Sequence, residues 1–477
     1  MERLRFAPSP TGHLHIGNLR TAVFNWLVAR QTGGFFVLRI EDTDFERSDT
    51  NYETSHFEAL RWLRLTYDEG PNVGGDYGPY RQSERLHQYH RTVDQLLEEA
   101  KAYRCFCTKE ELDAERVSQA AQKKPPRYSR KCLGLPPAAV RENLEKKTAF
   151  TVRFRVPEGP PVQWRDRVKG DLSFDRKDSE DFILLKSDGM PSFHLANVVD
   201  DAAMKITRVI RGEDHVTNTA KHRLLFEALG VPPPEYGHLP LLRVEGGGKM
   251  SKREGDYSWL LLRDEGILPE ALVNYLARLG WTPPANVSEI LSVPEIIAAF
   301  RLDEVSQASP QFSETKLKWF NRRHLRALTD KRLEMALGEY PGGARLLATL
   351  NHEQKAYALQ LIRENAKTLK DAVALLKFLE PAPLHFVDDP DEKSGFDRLA
   401  YLLGRRDLPT IEATKEFVAH YPAPAGDAKK KWFHDLRLIL TGSGVGLDLP
   451  SILFLLGRDE SVCRVHKAIR WNEGLQA

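Results

Sequence analysis

Four cysteines in 477 residues are too few for a disulfide framework, so the question they pose is one of metal binding or thiol chemistry. Long apolar runs are missing too: no uncharged stretch approaches the ~18 residues a membrane-crossing helix needs. Met1-Glu-Arg-Leu-Arg5 runs straight into a strand-like pattern with no apolar leader, so the protein is expected in the cytoplasm. There is no internal repeat and no low-complexity tract beyond Lys429-Lys-Lys431. Charge of one sign is also lacking, since 69 Lys+Arg against 67 Asp+Glu leave +2. A polyanionic partner would therefore have to be held by local basic clusters. What is present is an ordinary globular composition, 41% hydrophobic and 29% charged with a mean hydropathy of −0.45. The length fits roughly two to four domains.

Arg3 to Ala7 alternates as a short strand that Pro8 stops. Ile16, Leu19, Ala22, Val23, Trp26 and Leu27 then recur at helical spacing and predict an amphipathic helix closed by Gly33-Gly34. Phe35 to Ile40 reads as a buried parallel strand delivering Glu41 at its carboxyl end, where ligands sit in open α/β sheets. Cys105 to Cys132 is polar, basic and loop-rich, and Pro136 to Pro161 alternates charge with Pro and Gly, as an insertion would. Sheet-like patterning resumes at Phe182 to Leu185 and Phe193 to Ala196 around the turn signal Ser187-Asp-Gly189. A strand at Ile206 to Ile210, a helix at Thr219 to Leu229 and a strand at His238 to Leu242 follow. Leu268, Ala271, Leu272, Tyr275, Leu276 and Leu279 predict a helix capped by Gly280, and nearly everything beyond about residue 325 reads helical. The expected fold is multidomain: a doubly wound α/β, Rossmann-like domain (1–100 and 190–255) with an inserted α+β domain (101–189). Helical segments follow at 256–325 and 326–477, the latter in two subdomains meeting near 380–390.

Two loops carry chemistry. Ser9-Pro-Thr-Gly-His13-Leu-His15-Ile-Gly17-Asn18 joins a strand to a helix N-terminus, where backbone N–H groups and the helix dipole favour an anion such as a phosphate chain. Gly17 permits close approach. Gly246-Gly-Gly-Lys249-Met250-Ser251-Lys252-Arg253 places three cations and a hydroxyl in five residues and suits a triphosphate whose pyrophosphate is leaving. It lacks the Walker spacing. Singly, each also fits a blander description, a capped surface helix or a flexible basic loop.

Together, however, the His-Ile-Gly-Asn and Lys-Met-Ser-Lys-Arg sequences resemble the paired signatures of class I aminoacyl-tRNA synthetases. Arg5-Phe-Ala-Pro-Ser-Pro-Thr-Gly12, Arg39-Ile-Glu-Asp-Thr-Asp44, Gly78-Pro-Tyr-Arg-Gln-Ser-Glu-Arg85, His194-Leu-Ala-Asn-Val-Val-Asp-Asp201 and Val209-Ile-Arg-Gly-Glu-Asp-His215 narrow this, and the chain resembles the bacterial glutamyl-tRNA synthetase family over essentially its whole length. The resemblance implies ATP-dependent activation of L-glutamate to glutamyl-adenylate, then transfer to the terminal adenosine of tRNA(Glu), with release of AMP and diphosphate. The rival reading is a non-catalytic tRNA-binding paralogue.

By the same resemblance His15 and Lys252 are catalytic, stabilising charge on the phosphates. His13, Gly17, Asn18, Lys249, Met250, Ser251 and Arg253 complete the ATP site, and Mg²⁺ bridges phosphate oxygens. Glutamate carries two carboxylates and an ammonium, so its pocket needs two cations and an anion. Arg5 would take the side-chain carboxylate, Arg211 the α-carboxylate, and Ala7, Ser9 and Glu41 the α-amino group, with Asn197 lining the pocket. Phe193 stands where the family usually has a tyrosine, which removes one donor. The segment 101–189 would bind the tRNA acceptor end, 256–325 would contact the tRNA stem and 326–477 the anticodon. Lys429, Lys430, Lys431 and Trp432 are candidates for phosphate contact and base stacking. Some members that reject tRNA(Gln) carry an arginine where this chain has Asn365, which implies relaxed discrimination between tRNA(Glu) and tRNA(Gln). A monomer is expected.

If Cys105-Phe-Cys107 is extended, both thiols point the same way, and Cys132 with Tyr128 closes a tetrahedron around structural Zn²⁺. The arrangement resembles a zinc site in some members of the family; reduced thiols beside a packed tyrosine are the alternative. Cys463 is expected to be buried packing.

Overall fold

The computed structural model describes residues 1–123, 127–243, 257–285, 287–381, 387, 390–423 and 427–470. Among these, strands β1 (Arg3–Phe6), β2 (Phe35–Leu38), β3 (Ala102–Cys105), β4 (Thr151–Phe154), β5 (Val162–Asp166), β6 (Gly170–Phe174), β7 (Ile183–Leu185), β8 (Arg208–Gly212) and β9 (Glu235–Leu239) form two sheets. The larger has the order β2-β1-β8-β9-β5-β6, with every pairing parallel except that of the edge strand β6. The smaller, β3-β4-β7, is antiparallel.

Helices α1 (Ile16–Gln31), α2 (Thr50–Trp62), α3 (Leu86–Glu98), α4 (Lys109–Ala121), α5 (Pro137–Glu145), α6 (Phe193–Ala203) and α7 (Val216–Leu229) connect them. From β1 the chain crosses through α1 to β2 on one side; from β8 it crosses through α7 to β9 on the other. The order reverses between β1 and β8, and their carboxyl ends open the crevice where a ligand sits in such sheets.

Several expectations are corrected. The amphipathic α1 is instead buried on almost every side, because the sheet lies against it and the helix Val293–Ala299 packs on it as well. Gln31 binds the carbonyls of Ile297 and Phe300, each at 2.8 Å. Phe193 to Ala196 is not a strand: Ser192 caps the N-terminus of α6 by accepting from the Leu195 amide, and Leu195, Ala196, Val198 and Val199 form its buried face. β5 and β6, drawn from the segment 101–189, extend the main sheet through β9 rather than standing apart from it.

The chain divides into two compact units, Met1–Leu261 with Leu272–Glu314, and Leu262–Ala271 with Thr315–Ala477. The stretch 256–325 is therefore shared between the units. Leu268 and Ala271 pack with Leu325, Leu333 and Leu369, while Tyr275 bonds to Ser313 in the other unit's core. The described residues of the second unit are helical around two cores. One runs from Leu268 to Leu376 with Ile411 and Phe454, and one gathers Val387, Phe396, Trp432, Leu453 and Val465. No helix among the described residues is long and apolar enough to cross a membrane.

Candidate active site

Three parallel strands bring the expected glutamate residues to one edge. Arg5 lies near the end of β1, Glu41 beyond the end of β2, and Arg211 at the end of β8. Their surroundings differ. Arg5 is buried against Asp201, its Nε 3.1 Å and Nη2 3.4 Å from the two carboxylate oxygens. Asp201 also accepts from Arg39 at 2.6 Å, and the fully buried Arg39 reaches Glu41 Oε1 at 3.1 Å. Asn197 on α6 donates to that same oxygen at 2.9 Å. Glu41 is thus oriented by two donors on one oxygen. Burial opposes the charges of both Arg39 and Asp201; the flanking carboxylates nonetheless raise the arginine, and Arg5 and Arg39 lower the aspartate.

Arg211 has no ion pair among the described residues. Its Nη2 donates to Thr219 Oγ1 at 2.7 Å and its Nε to His238 Nε2 at 3.4 Å, while Nη1 is buried without a partner. Burial presses its pKa down to about 10. A buried cation kept short of a carboxylate is costly unless a ligand supplies one. The Oδ1 of Asn197 is likewise buried and unpartnered. Phe193 packs among the rings of His194, His215 and His222 at 5.4 to 5.8 Å. Burial holds His194 near 3 and His215 near 4, so both are neutral around pH 7. Ala7 and Ser9 follow β1 in the loop whose Pro8 carbonyl accepts from the Glu41 amide at 3.1 Å.

The histidine loop is braced from several sides. His15 caps α1, its Nδ1 accepting from the Gly17 amide at 3.1 Å, while Asn18 accepts from the His15 amide at 3.3 Å. Accepting at Nδ1 makes Nε2 the protonated nitrogen of the neutral ring, a donor suited to a phosphate oxygen. Gly17 leaves room for this: a Cβ there would crowd the ring at 3.0 Å from His15 Cε1. The expectation of free amides at the start of the helix is corrected, since Ile16 donates to Tyr257 and Gly17 to His15. His13 pairs with Ser55 at 2.7 Å, and His56 donates to the Gly12 carbonyl at 2.9 Å. These braces from α2 had no signal in the sequence.

Lys249, Met250, Ser251, Lys252 and Arg253 lie outside the described residues. Both flanks of that segment are described, and both meet the histidine loop and its helix. Arg20 on α1 donates to Pro240 at 2.7 Å, and Trp259 donates to the Leu14 carbonyl at 3.0 Å.

In the smaller sheet's region, the Sγ atoms of Cys105, Cys107 and Cys132 all lie within 4.8 Å of one another. Tyr128 Oη is 3.2 Å from Cys105 Sγ and 3.7 Å from Cys107 Sγ, and the thiols of Cys107 and Cys132 are 3.5 Å apart. A tetrahedron with ~2.3 Å metal–sulfur bonds has edges of about 3.8 Å, so the donor set fits a small soft-tolerant cation. Burial is the largest influence on both of the first two thiols. It drives Cys107 up to about 12, whereas at Cys105 hydrogen bonds from Tyr128 and Arg153 overcome it and lower the pKa.

Two tail expectations fail. Trp432 is 3% exposed and stacks on Phe396 and Tyr421 at 5.2 and 5.0 Å, so it is core and cannot stack on bases. Lys431 pairs with Glu392, while Lys429 and Lys430 are exposed. Cys463 is half-buried rather than buried.

Residues 2–319 match the catalytic-domain model of class I tRNA synthetases (E and Q), and residues 331–469 match an anticodon binding domain. A glutamate–tRNA ligase of Natranaerobius thermophilus is 40% identical, covering 98% of both chains. The chain belongs to the glutamate–tRNA ligase family. Another member, from Geobacillus stearothermophilus, is 38% identical over 98% of each chain. A family structure from Elizabethkingia meningosepticum, described as a complex with its amino acid, superposes with a TM-score of 0.83. It is 36% identical and covers 98% of this chain and 99% of its own. Membership makes the chain an ATP-using aminoacyl-tRNA synthetase, a Rossmann-like catalytic region followed by a helical anticodon-binding one.

Proposed function

We propose that the chain joins L-glutamate to the terminal adenosine of tRNA(Glu) through a glutamyl-adenylate. The observation that carries this is Arg211, a buried guanidinium with an unpartnered Nη1 beside the ion-paired Arg5 and the oriented Glu41. Arg5 and Arg211 receive the two carboxylates, and Glu41, with the backbone at Ala7 and Ser9, receives the ammonium. Without a hydroxyl at Phe193, the contact rests more heavily on the two arginines.

ATP would enter as its Mg²⁺ complex, the metal supplying charge neutralisation. The α-carboxylate attacks the α-phosphorus and pyrophosphate leaves; a ribose hydroxyl of the tRNA then displaces AMP. Neither step requires a protein nucleophile. His15 donates from Nε2 to phosphate oxygens, with His13 and Asn18 beside it. Lys249, Ser251, Lys252 and Arg253 act on the leaving pyrophosphate, a reading that rests on their sequence and on flanks anchored to α1 and to the histidine loop.

Cys105, Cys107, Cys132 and Tyr128 would hold Zn²⁺, which when bound cross-links the segment receiving the acceptor end. Asn365 favours acceptance of tRNA(Gln) as well as tRNA(Glu), and the enzyme works as a cytoplasmic monomer. Charging assays with purified tRNA(Glu) and tRNA(Gln) test the reading: ATP-dependent Glu-tRNA is expected. Its absence with every tRNA would leave a non-catalytic tRNA-binding protein.

A further inference from the structure

Arg211 owes its unusual state to residues that no signature sequence contains. β8 and β9 pair so that Arg211 lies opposite His238, and β5 pairs with β9 through Asp166 and Tyr236. Asp166 Oδ2 lies 2.5 Å from His238 Nδ1. Its Oδ1 accepts from the amides of His238, Val168 and Lys169 at 2.9 to 3.0 Å, so the carboxylate is fixed. A carboxylate beside Nδ1 makes that nitrogen the donor and leaves Nε2 an acceptor. Nε2 faces Arg211 Nε at 3.4 Å and the Thr219 hydroxyl at 2.9 Å. Thr219 in turn accepts from Arg211 Nη2 at 2.7 Å. Asp166, His238 and Thr219 are each at most 2% exposed. Burial also keeps His238 below its ordinary pKa, so it stays neutral and able to accept.

We propose that Asp166, His238 and Thr219 are positioning residues: they occupy the Nε and Nη2 edges of Arg211 with neutral acceptors, so that its Nη1 edge is presented to a substrate carboxylate. Two alternatives were open to the fold. A carboxylate in contact would have neutralised Arg211 and competed with the substrate. No partner at all would have left the guanidinium free to turn. The relay fixes the orientation while holding the carboxylate of Asp166 one imidazole away. β5 belongs to the segment 101–189, so the acceptor-end region and the amino-acid pocket share this strand.

The inference rests on reading Arg211 as a glutamate ligand, so Arg211→Gln is measured alongside. Apparent KM for glutamate and for ATP are measured in tRNA charging, with melting temperature as a check on folding. Arg211→Gln should raise the glutamate KM at least ~100-fold. His238→Asn keeps a donor towards Asp166 but loses the far acceptor, and should raise the glutamate KM ~10-fold with the ATP KM within about twofold. His238→Gln restores an acceptor near the Nε2 position and should return the glutamate KM to within about threefold of the parent. Asp166→Asn offers an amide donor to Nδ1, reverses the tautomer and should resemble His238→Asn. Thr219→Val is isosteric and carries the same expectation should a histidine variant fail to fold.

An unchanged glutamate KM in Arg211→Gln would sink the ligand reading and the relay together. A large effect there with none in His238→Asn or Thr219→Val would sink the relay alone. Equal rises in both KM values, or a His238→Gln variant no better than His238→Asn, would also overturn it.

Discussion

Arg5 and Arg211 sit near the ends of adjacent parallel strands, yet of the two only Arg5 has a carboxylate in contact, Asp201 at 3.1 Å; Arg211 ends in a buried Nη1 with no partner among the described residues. The two cations therefore stand differently towards stability. Arg211 is held at a cost that a substrate anion relieves, whereas Arg5 belongs to a closed ion-pair cluster with Arg39 and Glu41.

This asymmetry separates binding from folding. Arg211→Gln should lower kcat/KM for glutamate by ~10²-fold or more while leaving the melting temperature unchanged or higher. Arg5→Gln should lose activity and also about 2 kcal/mol of stability, less than a fully orphaned buried charge costs, because Arg39 still holds Asp201. Calorimetry on both variants checks this. A drop in stability confined to Arg211→Gln would contradict it.

Gly17 makes room for the ring of His15, and an added Cβ would stand 3.0 Å from Cε1 and 3.1 Å from Nδ1. Gly17→Ala should turn that ring and cut charging by ~10-fold or more with the glutamate KM little changed. The split between the ATP and glutamate parameters is the readout.

Two half-buried histidines set an acid limit. His194 and His215 are held near 3 and 4 by burial, helped by Lys221 and Arg211 for His194 and by Arg211 for His215. The unfolded chain binds their protons near pH ~6.5. Between those values the unfolded state carries more protons, so stability rises with pH across the window and is lost as pH falls from ~6.5 towards ~4, by up to about 1.4 kcal/mol per unit for His194 and by less for His215, whose side chain is 35% exposed and screened by water. Urea midpoints at pH 7 and 5 should show the loss, and His194→Asn should flatten it. An identical slope in that variant would remove His194 from the account.

Isolated protein should carry about one zinc per chain, and Cys132→Ser should release it. Trp432→Ala should destabilise the C-terminal helical core by ~3–5 kcal/mol. Both are read by metal analysis and thermal melts; a Trp432→Ala variant melting like the parent would contradict the stacking with Phe396 and Tyr421.

Much of this was legible in the sequence because it is local. The strand at Arg3 to Ala7, the helix beginning at Ile16 and the strand into Glu41 follow from apolar period and punctuation, and the pairing of Cys105 with Cys107 from their spacing, with Tyr128 and Cys132 added by the family resemblance. What escaped was non-local. Ser192 as an N-cap overrode the sheet-like look of Phe193 to Ala196, and the pairing of β5 with β9, which brings Asp166 to His238, joins residues more than seventy positions apart. Trp432 read as a base-stacking aromatic because three lysines precede it; only the packed helices reveal Phe396 and Tyr421 against it.

The most direct test is a crystal structure of the protein with L-glutamate bound. A carboxylate oxygen is expected about 3 Å from Arg211 Nη1, with His238 and Thr219 still on the opposite edges of the guanidinium. Glutamate bound with both carboxylates away from Arg211 would contradict it.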